Sequence, residues 1–131
     1  MISMANRITF VHAPVIRYDQ NYGTLFVPLW AYTLAAYVSE NWDISIIDTI
    51  IDDIGSAESS KVFAYSGINQ DLTSILEVHD TLKGLYPSAK FIVGGPITWS
   101  FEQENKLELL DGFDHIFILD WEESLPRFLG Q

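Results

Sequence analysis

Five short apolar runs, rich in β-branched and aromatic residues, alternate along the chain with stretches of helical pattern. The runs lie at residues 8–11, 44–48, 62–66, 91–93 and 115–119. Runs of this length and composition are typical of buried strands. Strands that alternate with helices form a parallel sheet. The sequence therefore predicts an α/β fold, a five-stranded parallel doubly wound sheet with the flavodoxin-like strand order 2-1-3-4-5.

Four helices are predicted between and after these runs. The first covers Pro28–Glu40, where Pro28 suits a first helical turn. Because it is apolar nearly all round, we expect both of its sides to be covered. The second runs from Asn69 or Asp71 to Leu85, a short third lies within residues 101–110, and the last covers residues 123–129. Pro126 fits that last helix only in its first turn.

Length and charge narrow the class of protein. The 131 residues fit a single domain, 1–131, that can bury a real core. The net charge is −11, and the seven Lys and Arg residues form no basic stripe, which argues against nucleic-acid and anionic-membrane partners. We find no secretory signal pattern and no membrane-spanning run, so the expected location is the cytoplasm.

The chain has no cysteine. This excludes disulfides, thiolate catalysis and cysteine-based zinc sites within it, and it excludes an iron–sulfur cluster bound by this chain alone. Phosphate-binding glycine motifs are absent as well, which argues against nucleotide chemistry.

Small and polar residues follow three of the predicted strands. His12 ends the first run, Ser66-Gly67 ends the third, and Gly94–Pro96 follows the fourth. Ligands of open α/β sheets bind at the carboxyl ends of strands, beside the point where the strand order reverses. The joint position of these residues predicts a binding cleft there. Tight turns after strands are the alternative interpretation of the glycines.

No catalytic centre or metal site is predicted. Of the three histidines, His12 stands at the expected mouth of the cleft, whereas His79 falls on an apolar helix face and His115 opens a strand. None pairs with a serine nucleophile or a partner at metal-ligand spacing.

Four segments, in chain order, together resemble one family. They are Ile8–Pro14, Pro28–Val38, Val93–Pro96 and Asp120–Pro126. The chain resembles the cobalamin-binding Rossmann-like domain at the N-terminus of many cobalamin-dependent radical S-adenosylmethionine enzymes. This resemblance implies that the chain presents a corrinoid to a radical S-adenosylmethionine or methyltransferase domain, fused or separate. It also implies that the chain alone is not catalytic.

The resemblance also implies which residues hold the cofactor. In the wider family, motifs of the kind S-x-L and G-G line the buried benzimidazole of the nucleotide tail. Ser66, Gly67 and Ile68 stand at the first of these positions, and Gly94 and Gly95 stand at the second. The remaining expected cofactor-binding residues border the same strand ends, and they are His12, Pro96, Trp121 and Glu122.

Two departures from the family pattern matter. The D-x-H-x-x-G loop that supplies a cobalt-ligating histidine is absent, and its closest match, Asp19–Gly23, has Asn21 where a histidine would stand. Trp121 replaces a family glycine, so an indole there either covers the ligand or blocks it. The alternative function is a cofactor-free protein-interaction module on the same fold, with Trp30, Trp121 and the first helix at its interface.

Overall fold

The predicted strands form one parallel sheet in the order β2-β1-β3-β4-β5. The computed structural model describes residues 6–15, 28–118 and 121–130. The strands are β1 (Arg7–His12), β2 (Asp43–Asp48), β3 (Val62–Ser66), β4 (Lys90–Gly94) and β5 (His115–Ile116). All neighbouring pairs are parallel. The predicted α/β class, strand number and strand order are therefore confirmed.

Helices cover both faces of the sheet. They are α1 (Leu29–Ala35), α2 (Leu72–Leu85), α3 (Pro96–Gln103) and α4 (Trp121–Phe128), with 3₁₀ turns at Ile54–Ser56, Asn69–Asp71 and Leu107–Leu110. Because side chains alternate across a strand, each strand contributes to two apolar layers. One layer lies between the sheet and α1 with α4, and the other lies between the sheet and α2 with α3.

Alternation along the strands assigns each side chain to one layer. Toward α1 and α4 the sheet presents Ile8, Phe10, Val62, Ala64 and Ile92. Toward α2 and α3 it presents Val11, Phe63, Tyr65, Phe91 and Val93. His79 of α2 lies inside this second layer and is only 6% exposed. This burial agrees with its predicted place on an apolar helix face, and its Nε2 has a partner in the carbonyl oxygen of Gly112, 3.2 Å away.

Helix α1 is shorter than predicted and is covered on one side only. It buries Ala31 and Leu34 against the sheet, whereas Leu29 and Tyr32 are 70% and 56% exposed. The expectation that both sides would be covered is wrong for this helix. A helix that lies on one face of a sheet buries a single stripe, whatever the apolar content of its outer side.

The last two helices begin earlier than predicted. Helix α3 starts at Pro96, directly after Gly95, which suits a proline at the first helical position. Helix α4 starts at Trp121, so Pro126 lies in its interior and the prediction of a first-turn proline is wrong. Trp121 and Leu125, one turn apart, are both buried in the core. Burial of this pair determines where α4 begins, despite the backbone hydrogen bond that Pro126 cannot donate.

The shortest strand is β5, which has two residues, fewer than the run at 115–119 predicted. Its first residue is His115, as expected. Among the described residues, no helix has the length and apolar character needed to cross a membrane.

Candidate functional site

Three of the predicted site residues lie side by side at the carboxyl edge of the sheet. The strand register pairs His12 with Ser66, and Ser66 with Gly94. The alternation established by Phe10, Ala64 and Ile92 directs all three positions toward α1 and α4. We call His12, Ser66 and Gly94 the terminal row. It spans β1 and β3, between which the strand order reverses, where α/β sheets bind ligands.

Gly94 is covered by the indole of Trp121. A Cβ added to Gly94 would lie 2.7 Å from Cδ2 and 2.8 Å from Cε2 of that ring. These two atoms form the bond shared by the two rings of the indole. The centre of the flat bicyclic ring therefore lies over Gly94, and only a residue without a Cβ leaves room for it.

Gly95 makes the turn from β4 into α3. Its φ is 86°, in the region that favours glycine, and its ψ is −162°. A Cβ there would collide with the hydroxyl oxygen of Ser66. Glycine is thus required at this position both by the backbone conformation and by the close approach of Ser66.

A cleft of about 370 Å³ opens beside this turn. Its walls come from helices α1, α3 and α4 and from the segments at the ends of β3, β4 and β5. The lining residues are Trp30, Ser66, Gly95, Pro96, Trp99, Phe117, Ile118, Trp121 and Glu122. Pockets of roughly 300–1,000 Å³ with mostly apolar walls are typical of small-molecule sites. The cleft thus contains five of the nine predicted site residues.

The buried hydroxyl of Thr98 connects two segments that line the cleft. Thr98 of α3 donates to the carbonyl oxygen of Phe117 at 2.6 Å, and its oxygen also lies 2.9 Å from the carbonyl oxygen of Gly95. Thr98 is fully buried. It therefore joins the turn after β4 to the segment after β5, which carries Phe117 and Ile118 into the cleft wall.

His12 is held in one tautomer by Trp30. The indole N–H of Trp30 donates to Nδ1 of His12 at 3.0 Å. Since this N–H can only donate, Nδ1 is the acceptor, and the neutral ring carries its proton on Nε2. Burial lowers the pKa of His12 below its usual range, and the carboxylates of Asp48 and Asp71 oppose this shift only in part. The ring is therefore a neutral donor near physiological pH.

Two buried ring N–H groups on this side of the sheet have no acceptor among the residues that the structure describes. They belong to Nε2 of His12 and Nε1 of Trp121. Trp121 is 8% exposed, and its ring also packs against Phe117 with centroids 4.5 Å apart. Buried donors are nearly always paired, and an unpaired one costs about 1–3 kcal/mol. Within the described residues, these two donors of the site are thus left without hydrogen bonds.

Gly67 and Ile68 lie away from the cleft. The backbone N–H of Ile68 donates to Oδ2 of Asp71 at 3.0 Å, and its side chain is 51% exposed. A Cβ on Gly67 would lie 2.7 Å from the same carboxylate oxygen. These two residues form the entry to α2 and are not among the cleft walls. Gly94 is also absent from those walls, since Trp121 covers it.

Several cleft residues were not predicted from the sequence as cofactor-binding. Phe117 and Ile118 belong to the fifth apolar run, which looks like strand throughout. Thr98, which holds the cleft together from beneath its walls, falls before the helix predicted at 101–110. Trp99, half exposed at the cleft mouth, follows a cleft-facing strand end. The position of Trp99 after the Gly94–Pro96 turn is the sequence feature that indicates its place beside the cleft.

The walls of the cleft carry little charge. Glu122 is the one charged residue among them, and it is exposed. Within the described parts of the chain, no cluster of three or more His, Cys, Asp or Glu side chains is arranged to hold a metal ion. The Asp19–Gly23 segment, which is the closest match in the sequence to a cobalt-ligating loop, lies outside the described residues. The described walls of the cleft are therefore largely uncharged.

Comparison with known proteins adds no match to this picture. No family model matches the chain, and neither a curated protein nor a solved structure is significantly similar to it. The fold, the terminal row and the cleft are accordingly the features that indicate a function.

Proposed function

We propose that this protein binds cobalamin, with the nucleotide tail entering the carboxyl edge of the sheet at Ser66, Gly94 and Gly95. One observation carries the proposal. The indole of Trp121 lies flat on Gly94, so the space over this glycine has the size and shape of a flat bicyclic ring. Benzimidazole, the base of the tail, is a ring of that size and shape.

Polar groups of the terminal row and of Trp121 support the same ligand class. Nε2 of His12 and Nε1 of Trp121 are buried donors with no acceptor among the described residues, and the hydroxyl of Ser66 faces the cleft wall at Gly95. A nucleotide tail offers acceptors in its ring nitrogen, its sugar and its phosphate. Pairing a buried donor removes the cost of leaving it unpaired.

The roles of this chain's residues would be to bind and orient. Ser66, Gly95 and Pro96 would form the floor, and Trp30 with Trp99 would flank the mouth of the cleft. Bound cobalamin would supply cobalt-centred methyl or radical chemistry to a catalytic partner or fused domain. His12 is held by Trp30 through Nδ1, so its part here is that of a hydrogen-bond donor.

Retention of a corrinoid tests this function. The purified protein is dialysed to equilibrium against hydroxocobalamin, and the bound corrinoid is read from its visible spectrum. We expect binding by the wild type and severalfold weaker binding by Trp99→Ala, which removes an exposed wall of the cleft. Tyr37→Ala is the matched control, because Tyr37 is 54% exposed and Trp99 is 50% exposed, and Tyr37 lies outside the cleft walls. Wild-type protein that retains no corrinoid would rule the function out.

The alternative, a cofactor-free interaction module, keeps one supporting observation. Leu29 and Tyr32 expose an apolar outer side on α1, whereas Trp121 is buried and is thus unsuited to an interface. Replacing Leu29 and Tyr32 with serine separates the two functions. Cobalamin binding predicts that the double variant retains corrinoid, and the alternative predicts that wild type and variant are equally colourless.

A further inference from the structure

We infer that Trp121 is a built-in occupant of the slot over Gly94, so that its indole and a flat bicyclic heteroaromatic ligand compete for one place. The inference rests on the proposed function only in naming the cobalamin tail as the natural competitor. The slot is the space over Gly94, and the side chain of Trp121 fills it.

The indole fits the slot as a ligand ring would. Its centre lies over Gly94, with Cδ2, Cε2 and Cε3 all within 2.8 Å of the position that a Cβ would take. Phe117 packs on the same indole at a tilt of 52°. A second flat ring cannot lie on Gly94 while Trp121 is there, because no space remains between indole and backbone.

The occupied state is left with unpaired polar groups. Within the described parts of the chain, Nε1 of Trp121 has no acceptor, and Nε2 of His12, a member of the terminal row, has none either. If the indole left the slot, its N–H would reach water. Benzimidazole carries a ring nitrogen that accepts a hydrogen bond, which indole lacks. The polar groups of the row therefore favour a ring of the benzimidazole class over the indole that fills the slot.

Competition has a consequence for affinity. A ligand that needs the slot empty binds only the fraction of molecules in which Trp121 has moved out. Its apparent affinity is reduced by that fraction. Trp121 would thus determine both how tightly the protein holds its ligand and how readily it releases it.

Free benzimidazole tests the slot without any corrinoid. Trp121→Gly should empty the slot, and benzimidazole should then raise its Tm by a few degrees, while leaving the Tm of the wild type unchanged. Trp121→Leu, which keeps an apolar side chain near Phe117, is the second variant should the glycine variant fail to fold. Trp42→Leu is the matched control, because Trp42 packs in the same apolar layer, beside the opposite end of β2.

Affinity for hydroxocobalamin tests the competition. We expect tighter binding by the two Trp121 variants, by about 10- to 1,000-fold if the open state has a population of about 0.1–10%. Adding Gly94→Ala to Trp121→Gly should abolish the gain, because the new Cβ takes up the floor of the slot.

The outcomes separate the inference from the proposed function. Corrinoid binding that is unchanged by both Trp121 variants, together with no benzimidazole effect, would overturn the inference and leave the function standing. A benzimidazole effect limited to the Trp121 variants, without corrinoid binding by any protein, would support the slot and overturn cobalamin as its ligand. An equal benzimidazole effect on Trp42→Leu would overturn the inference.

Discussion

The indole of Trp121 lies flat against the Cα of Gly94, so that a Cβ on Gly94 would come within 2.7 Å of Cδ2. This contact joins the end of β4 to the start of α4. It also fills the part of the carboxyl edge where the resemblance to cobalamin-binding domains would place a ligand ring. The pair therefore determines both how α4 packs and what can enter the site.

Gly94→Ala should destabilise the protein because of this contact. Forcing a methyl group into a filled core typically costs about 1–3 kcal/mol, and here the obstructing group is a rigid ring. Urea unfolding measures the effect. Gly84→Ala in α2 is the matched control, since a Cβ there would meet nothing within 4 Å, and it should be neutral or stabilising by up to about 1 kcal/mol. Equal effects of the two substitutions would contradict the packing described.

Gly95→Ala should destabilise through its backbone and through Ser66. The strained backbone alone should cost about 1–3 kcal/mol, and the new Cβ would collide with the hydroxyl oxygen of Ser66. Adding Ser66→Ala should remove the cost of the collision and leave the cost of the strained backbone. A double-mutant cycle of unfolding free energies measures this difference. Gly130→Ala is the control, because Gly130 has the same φ of 86° and open space around it. Additive effects of the Gly95 and Ser66 substitutions would rule out the contact.

Thr98→Val should destabilise the protein by about 1–3 kcal/mol, because the carbonyl oxygen of Phe117 would lose its buried donor. Thr98→Ser keeps the hydroxyl and should keep most of this hydrogen-bond contribution, although it removes a methyl group. Chemical unfolding of both variants provides the comparison. If valine is tolerated better than serine, the methyl group matters more than the hydroxyl at this position.

Stability should fall on mild acidification. Burial lowers the pKa values of His12 and His79 in the folded protein, so the unfolded chain takes up these protons first. The stability that the two neutral histidines contribute to the folded protein is complete above about pH 6.5, the usual pKa of an unfolded histidine. This stability is lost as the pH falls from there toward the lower pKa values of the folded state. Unfolding free energies measured between pH 8 and pH 5, roughly the range in which histidine titrates, check the sign.

His79→Gln should flatten that dependence on pH, even if it lowers stability throughout. His115→Gln is its control, because His115 is exposed on the first residue of β5. A stability that stays constant or rises from pH 7 to pH 5 in the wild type would contradict the buried, neutral state of the two histidines.

Much of the fold could be predicted from local pattern. The five apolar runs have the length and residue types of buried strands, and their alternation with helices indicates a parallel sheet. The ends of parallel strands lie at one edge of the sheet. His12, Ser66 and Gly94 meet there in one row, because His12 pairs with Ser66 and Ser66 pairs with Gly94. Gly67 and Ile68 follow β3 at this edge, but the hydrogen bond of Ile68 to Asp71 turns the chain into α2, and neither residue lies among the cleft walls.

The sequence by itself determined the class of the fold, the parallel arrangement of the strands and the small residues that follow them at the carboxyl edge. These depend on residue type and short-range periodicity, which are visible along the chain. Only the tertiary structure decided that the indole of Trp121 occupies the space over Gly94 and that Trp30 orients His12. Both contacts depend on how α1 and α4 dock on the sheet, and docking is settled by the burial of side chains far apart in sequence.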